Sequence, residues 1–146
     1  MSEPERVTAV ALLCDYAQIA YEKLNIMGGG WTYLWADEEP ARFPITLAVS
    51  LAVPWGLTNQ DLHIRTQLFT EDHEPIHRPE DDEEIRAEGD LRVGRPPHAR
   101  AGIPIVVPLV LPFGEIHLNF GGYIWEIVSG SDVIARVPFQ VAQRRA

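Results

Sequence analysis

The chain has little of what a membrane, a nucleic acid or a disulfide scaffold would require. It has one cysteine in 146 residues, so no disulfide framework can staple it. Its longest apolar stretch, Ile103 to Phe113, is broken by three prolines and is too short to span a bilayer. The first residues, Met1 to Arg6, are acidic and lack the charged-then-apolar pattern of a secretion signal. Basic charge is scarce as well: 12 Lys and Arg stand against 21 Asp and Glu, a net charge of −9. A nucleic-acid binder needs a basic footprint to displace counterions, and only Arg144 and Arg145 at the tail approach one. These absences predict a cytoplasmic protein without nucleic-acid or membrane partners.

Catalytic signatures are missing too. There is no Gly-x-Ser-x-Gly elbow and no His-Glu-x-x-His helix. Cys14 sits inside an apolar run, whereas a reactive cysteine needs an accessible, electropositive site; it reads as a small buried hydrophobe. Gly28-Gly29-Gly30 lacks the Gly-Lys-Ser/Thr ending of a phosphate loop and the helix of a dinucleotide turn. It reads as a bulge or a bend between sheets, where glycine supplies positive φ. His63, His98 and His117 have no evident partner spacing and read as surface residues. The expectation is a protein that is not an enzyme, with no catalytic residue, cofactor or metal.

What the chain does have is alternation. Ile45, Leu47, Val49, Leu51 and Val53 occupy every second position, as do Ile85, Ala87, Gly89, Leu91 and Val93, and Val133, Ala135, Val137, Phe139 and Val141. A period of two buries one face of a strand and wets the other. Similar runs cover Thr8–Tyr16, Lys23–Met27, Trp31–Ala36, Leu62–Thr70, Ile103–Leu111 and Tyr123–Val128, with Ser129–Asp132 as a hairpin turn. About eight or nine strands at this spacing predict an all-β, single-domain antiparallel sandwich over residues 1–146, immunoglobulin-like in type. A core of Leu47, Val49, Leu51, Ile64, Leu91, Ile127 and Phe139 is expected.

Two strands carry further information. Pro104, Pro108 and Pro112 share one parity, so their missing N–H donors lie along one edge; Ile103–Leu111 is predicted to be an edge strand. In the first strand, Val10, Leu12, Cys14 and Tyr16 share one face while Ala9, Ala11 and Leu13 share the other. A strand with one wet face should not be apolar on both. Either a loop or another protomer covers it, and Ala9, Ala11 and Leu13 are the candidate oligomer interface.

Two more features bear on binding. Trp31, Tyr33 and Trp35 alternate; turned inward they are core, turned outward they form an aromatic platform for a ligand or partner. The dominance of aromatics in cores favours core for most of them. Trp55, at a strand end after Pro54, joins them as a candidate contact. The stretch Glu71–Glu84 holds eight carboxylates and two histidines but lacks the ordered ligand spacing of a calcium loop. It reads as a solvated, mobile loop without a structural metal.

The segments Ala9–Ala20 and Lys23–Thr32, with their Gly-Gly-Gly-Trp block, resemble the start of a family of small, uncharacterised bacterial proteins with actinobacterial members. Val93–Pro97 and Gly121–Ile127 resemble later blocks of the same family. The resemblance implies a bacterial, cytosolic, immunoglobulin-like sandwich and brings no activity or catalytic residue with it. The function expected is that of a noncatalytic module acting by protein interaction or assembly, including homo-oligomerisation. The alternative is a small-ligand or carbohydrate binder using Trp31, Tyr33 and Trp35.

Overall fold

The computed structural model describes residues 5–144. Among them are nine β-strands, one 3-10 turn (Trp55–Leu57) and no α-helix, and so no helix long and apolar enough to cross a membrane. The strands are β1 (Thr8–Ala20), β2 (Lys23–Gly29), β3 (Tyr33–Ala36), β4 (Ala41–Val53), β5 (Asp61–Thr70), β6 (Arg86–Arg92), β7 (Ile105–Leu118), β8 (Gly121–Ser129) and β9 (Asp132–Gln143). They form a four-stranded sheet, β2-β1-β4-β7, and a five-stranded sheet, β3-β9-β8-β5-β6, packed as a β-sandwich.

The alternating residues meet between the sheets. Leu47, Val49 and Leu51 of β4 and Ile127 of β8 are wholly buried, and Ile64 and Phe139 join the same core. Leu91 packs against this core only half-buried, because β6 ends the larger sheet and has a neighbour on one side only. Trp125, also wholly buried, lies against the Phe113 ring at 4.3 Å between centroids. Near the start of β8 the buried Tyr123 hydroxyl donates to the Asn119 carbonyl at 2.7 Å. This is the tyrosine-corner device of immunoglobulin-like sandwiches.

The proline strand, β7, does end the four-stranded sheet; an edge is where missing donors along one side leave no ladder broken. The glycine block does carry the chain between sheets. Gly28 and Gly30 have φ of 62° and 86°, the Gly30 amide donates to the Leu13 carbonyl, and β3 then begins in the opposite sheet. The expectation of uniformly antiparallel pairing fails at one place. β3 lies parallel to β9, with Tyr33 beside Gln140 and Trp35 beside Ala142. Entering from the other sheet, β3 has no hairpin to dictate an antiparallel approach.

β1 is the structural surprise. Thr8–Cys14 pairs with β4, while Cys14–Ala20 pairs with β2. The β1–β2 hairpin leaves the sheet edge as an arm and folds back over the sheet's outer side. A second, smaller cluster forms there: Cys14, Ala17 and Ala48 are buried, with Leu24 and Val110 against them. Alternation puts Ala48 on the side of β4 opposite Leu47 and Val49, so this cluster lies outside the sandwich.

Candidate functional site

The interface expected on β1 is the first correction. Leu13 is a core residue, and Ala9 and Ala11 pack against the same core, so none of the three is available as an interface between molecules. The other face looks outward. Across the four-stranded sheet, Thr8 stands beside Ala52 and Val106, Val10 beside Ser50 and Pro108, and Leu12 beside Ala48 and Val110. The arm covers only part of this surface. Val10 remains 69% exposed and Val106 61%. Tyr16, Ile19, Tyr21, Ile26 and Met27 of the arm, and Ile103 just before β7, are exposed as well. Most of the large apolar side chains that face solvent among the described residues therefore belong to β1, β2 and β7 or the turns beside them. Thr8, Val10, Leu12, Ser50, Ala52, Val106 and Pro108 make a face without a formal charge.

The aromatic stripe divides. Leu34 and Ala36 pack on the core, which turns Tyr33 and Trp35 outward. These two are half-exposed and stack on each other, centroids 6.0 Å apart and planes 13° from parallel. Core for most of the stripe is thus corrected. β3 is the last strand of its sheet, and its inward positions are already filled by Leu34 and Ala36. Trp31 shares the parity of Tyr33 and Trp35 but lies outside the strand, where the bend after Gly30 turns it inward. It meets the Phe139 ring edge-on at 6.0 Å. Trp55 is not a free contact surface either. The Arg95 guanidinium lies 4.0 Å over its ring and donates to the Trp55 carbonyl at 2.9 Å and to the Thr58 hydroxyl at 2.6 Å.

Two adjoining open grooves flank Tyr33 on the outer face of the five-stranded sheet, of about 620 and 900 Å³. Both are bounded by Tyr33, Gly121 and Gln140. Register explains their depth. The row running from Tyr33 through Gln140 reaches Gly122, and the next runs from Trp35 to Ala142. Ala142 beside Trp35 and Gly122 beyond Gln140 are small, and they leave a trough next to the two rings. Its far side is Glu71: a Cβ on Gly122 would lie 2.6 Å from the Glu71 carboxylate, so a side chain there would displace Glu71 and fill the trough.

The acidic segment is not the free loop expected. The Ile76 amide donates to the Leu68 carbonyl and the Ile85 amide to the Ile76 carbonyl, and Phe69 bridges to Pro75 and His77 to Glu84. The Arg78 side chain donates to the Phe113 carbonyl at 3.3 Å. Buried Ile85 and half-buried Ile76 anchor it. The alternation needed for such pairing is short, and the charge run hides it. No cluster of metal-ligating side chains occurs among the described residues.

Two histidine clasps were not legible from spacing. His63 faces Asp90 across β5–β6, with Nδ1 2.8 Å from Asp90 and Nε2 3.0 Å from Glu88. Both ring nitrogens meet carboxylates, an arrangement that favours the protonated imidazole, which can donate from both. Its pKa is raised above 6.5 by the hydrogen bonds to Asp90 and Glu88. On the outer face of β8, buried Glu126 accepts from His73 Nε2 at 2.9 Å and Arg136 Nε at 3.2 Å. Burial pushes its pKa upward, but the His73 and Arg136 hydrogen bonds outweigh that and hold the carboxyl below its ordinary range. The Cys14 thiol, desolvated and beside Asp15, is pushed up, away from the thiolate that reactivity needs.

None of the curated proteins compared with the chain matches it. Residues 9–142 match a family described as "Family of unknown function (DUF6941)". That span takes in both sheets, the arm and the aromatic trough, and the chain belongs to this DUF6941 family.

Proposed function

We propose that this protein is a noncatalytic assembly module of the bacterial cytoplasm, and that the outer face of its four-stranded sheet packs against a second copy of the chain. One observation carries the reading: exposed Val10, Leu12 and Val106 share the outer face of the four-stranded sheet. Contiguous exposed apolar surface marks interaction sites, whereas scattered apolar residues do not. Two molecules of net charge −9 repel each other, and a contact centred on the uncharged strip brings few like charges together, with Glu22 and Arg100 bordering its Val106 end. Symmetric homo-oligomers are also the commonest soluble assemblies. The acid excess of the remaining surface disfavours nucleic-acid partners.

The test is the double variant Val10→Asp/Val106→Asp. Both side chains are more than half exposed, so the fold survives their replacement. In sedimentation velocity the parent is expected to run as a dimer or larger closed assembly, and the variant as a monomer with the parent's circular dichroism. A variant that sediments as the parent does contradicts the assignment of this face.

A further inference from the structure

We propose that the trough beside Tyr33 and Trp35 is a binding site for a neutral oligosaccharide. The site is separate from the assembly face, because it lies on the outer side of the other sheet. Its wall is a pair of nearly parallel, stacked rings, centroids 6.0 Å apart and planes 13° from parallel, each about half exposed. A sugar ring has an apolar C–H face that stacks on aromatic faces, and hydroxyls at its rim that need hydrogen-bonding partners. The platform supplies the first.

The floor and rim supply the second. Gln140 lies between Tyr33 and Gly122 in the register; Thr32 borders one groove and Gln143 the other. These are neutral donors and acceptors, suited to hydroxyls. Glu71 over Gly122 adds a carboxylate acceptor at one end, and Arg144 borders the other end. The glycine pair Gly121-Gly122 keeps the floor open. An open run of two grooves that share Tyr33, Gly121 and Gln140 suits a chain of sugar rings, whereas a single small molecule favours an enclosed pocket.

Charge decides against the other flat ligands. Bases also stack on aromatic platforms, but a single-stranded nucleic acid needs a basic groove along its backbone. Among the described residues that border it, Arg144 is the one cation; it lies near Asp37, and Glu71 sits at the opposite end.

The test is calorimetric titration of the intact protein with cellohexaose and with the hexamer of N-acetylglucosamine, using a thymidine oligonucleotide and a neutral peptide as comparators. At least one saccharide is expected to bind weakly, as an open site dictates. Trp35→Ala should weaken binding at least about tenfold, the equivalent of about 1.4 kcal/mol, and leave the melting temperature unchanged, since the ring is half in solvent. Gln140→Ala, also at an exposed position, should weaken binding through lost hydrogen bonds without touching the platform. The proposal is overturned if neither saccharide binds at millimolar concentration. It is equally overturned if both variants bind as the parent does, or if the oligonucleotide or peptide binds and the saccharides do not.

Discussion

Glu126 is the residue where the surface chemistry of the larger sheet is concentrated. Its carboxylate is buried while both of its donors, His73 and Arg136, are more than half exposed. Because its folded pKa is lowered, its contribution to stability is present above the ordinary glutamate range and is lost as pH falls through the folded value. Glu126→Gln is therefore expected to cost about 1.5 kcal/mol near neutral pH, the lower end for hydrogen bonds to a charged group. The penalty should shrink in acid, and melting temperatures across an acid series would check this. A penalty independent of pH would contradict the assignment. His63 runs the other way. Its pKa is raised above 6.5, so the stability it lends is present below that value and lost as pH rises through the folded pKa. An NMR titration should place its midpoint above 6.5, and Glu88→Gln/Asp90→Asn should bring the midpoint back toward it. A midpoint unmoved by the double substitution would show that the clasp does not hold the proton. Neither clasp was legible in the sequence. His63 and Asp90 are joined by β5–β6 pairing, and His73 reaches Glu126 from the turn after β5; register between distant strands is set by the whole core. Legible were the residues whose own position decides their fate: Leu47, Val49 and Leu51, buried as their alternation requires.

At the scale of elements, the β1–β2 arm is the part that alternation misread. A strand apolar on both faces predicts a cover, and β2 together with the second half of β1 supplies part of it, over Cys14 and Ala48, while Val10 stays exposed. The period of two named the two faces of β1 correctly but could not say which looked inward. That choice rests with β4, whose Leu47, Val49 and Leu51 fix the inner side and leave Ala48 outside. The proline parity of β7 was legible because a missing donor is a local chemical fact. The same holds for the glycine bend, where positive φ at Gly28 and Gly30 is a property of single residues. The pinned acidic segment was not legible, since its ties run through backbone amides of Ile76 and Ile85. The arm offers a direct check. Ala17 is buried in its small outer cluster, so Ala17→Asp should lift the arm without opening the sandwich. Hydrogen exchange should quicken across Lys23–Gly29 while β4, β5 and β8 keep their protection. Cys14, buried and with its thiol pKa raised in the parent, should become reactive toward a thiol probe. Equal loss of protection in β4 and β8 would instead make the arm part of the main cooperative unit.

The whole molecule is an acidic sandwich with two unlike outer faces. The larger sheet carries ion clasps and the aromatic trough, while the smaller carries the arm and an uncharged apolar strip. The division follows from the order of the strands. β1, β4 and β7 hold their polar-poor positions next to one another, so Val10, Ala52, Val106 and Pro108 coalesce, whereas Gln67, Glu126 and Arg136 adjoin on β5, β8 and β9. Folding alone gives the apolar strip no partner, and the central claim is that a second copy provides it. Light scattering of the purified chain across a concentration series tests this most directly. The account predicts a mass that rises to twice the 16.4 kDa of one chain or to a larger closed multiple, with the rise abolished by Val10→Asp/Val106→Asp. A mass that stays at 16.4 kDa up to high micromolar concentration would contradict it.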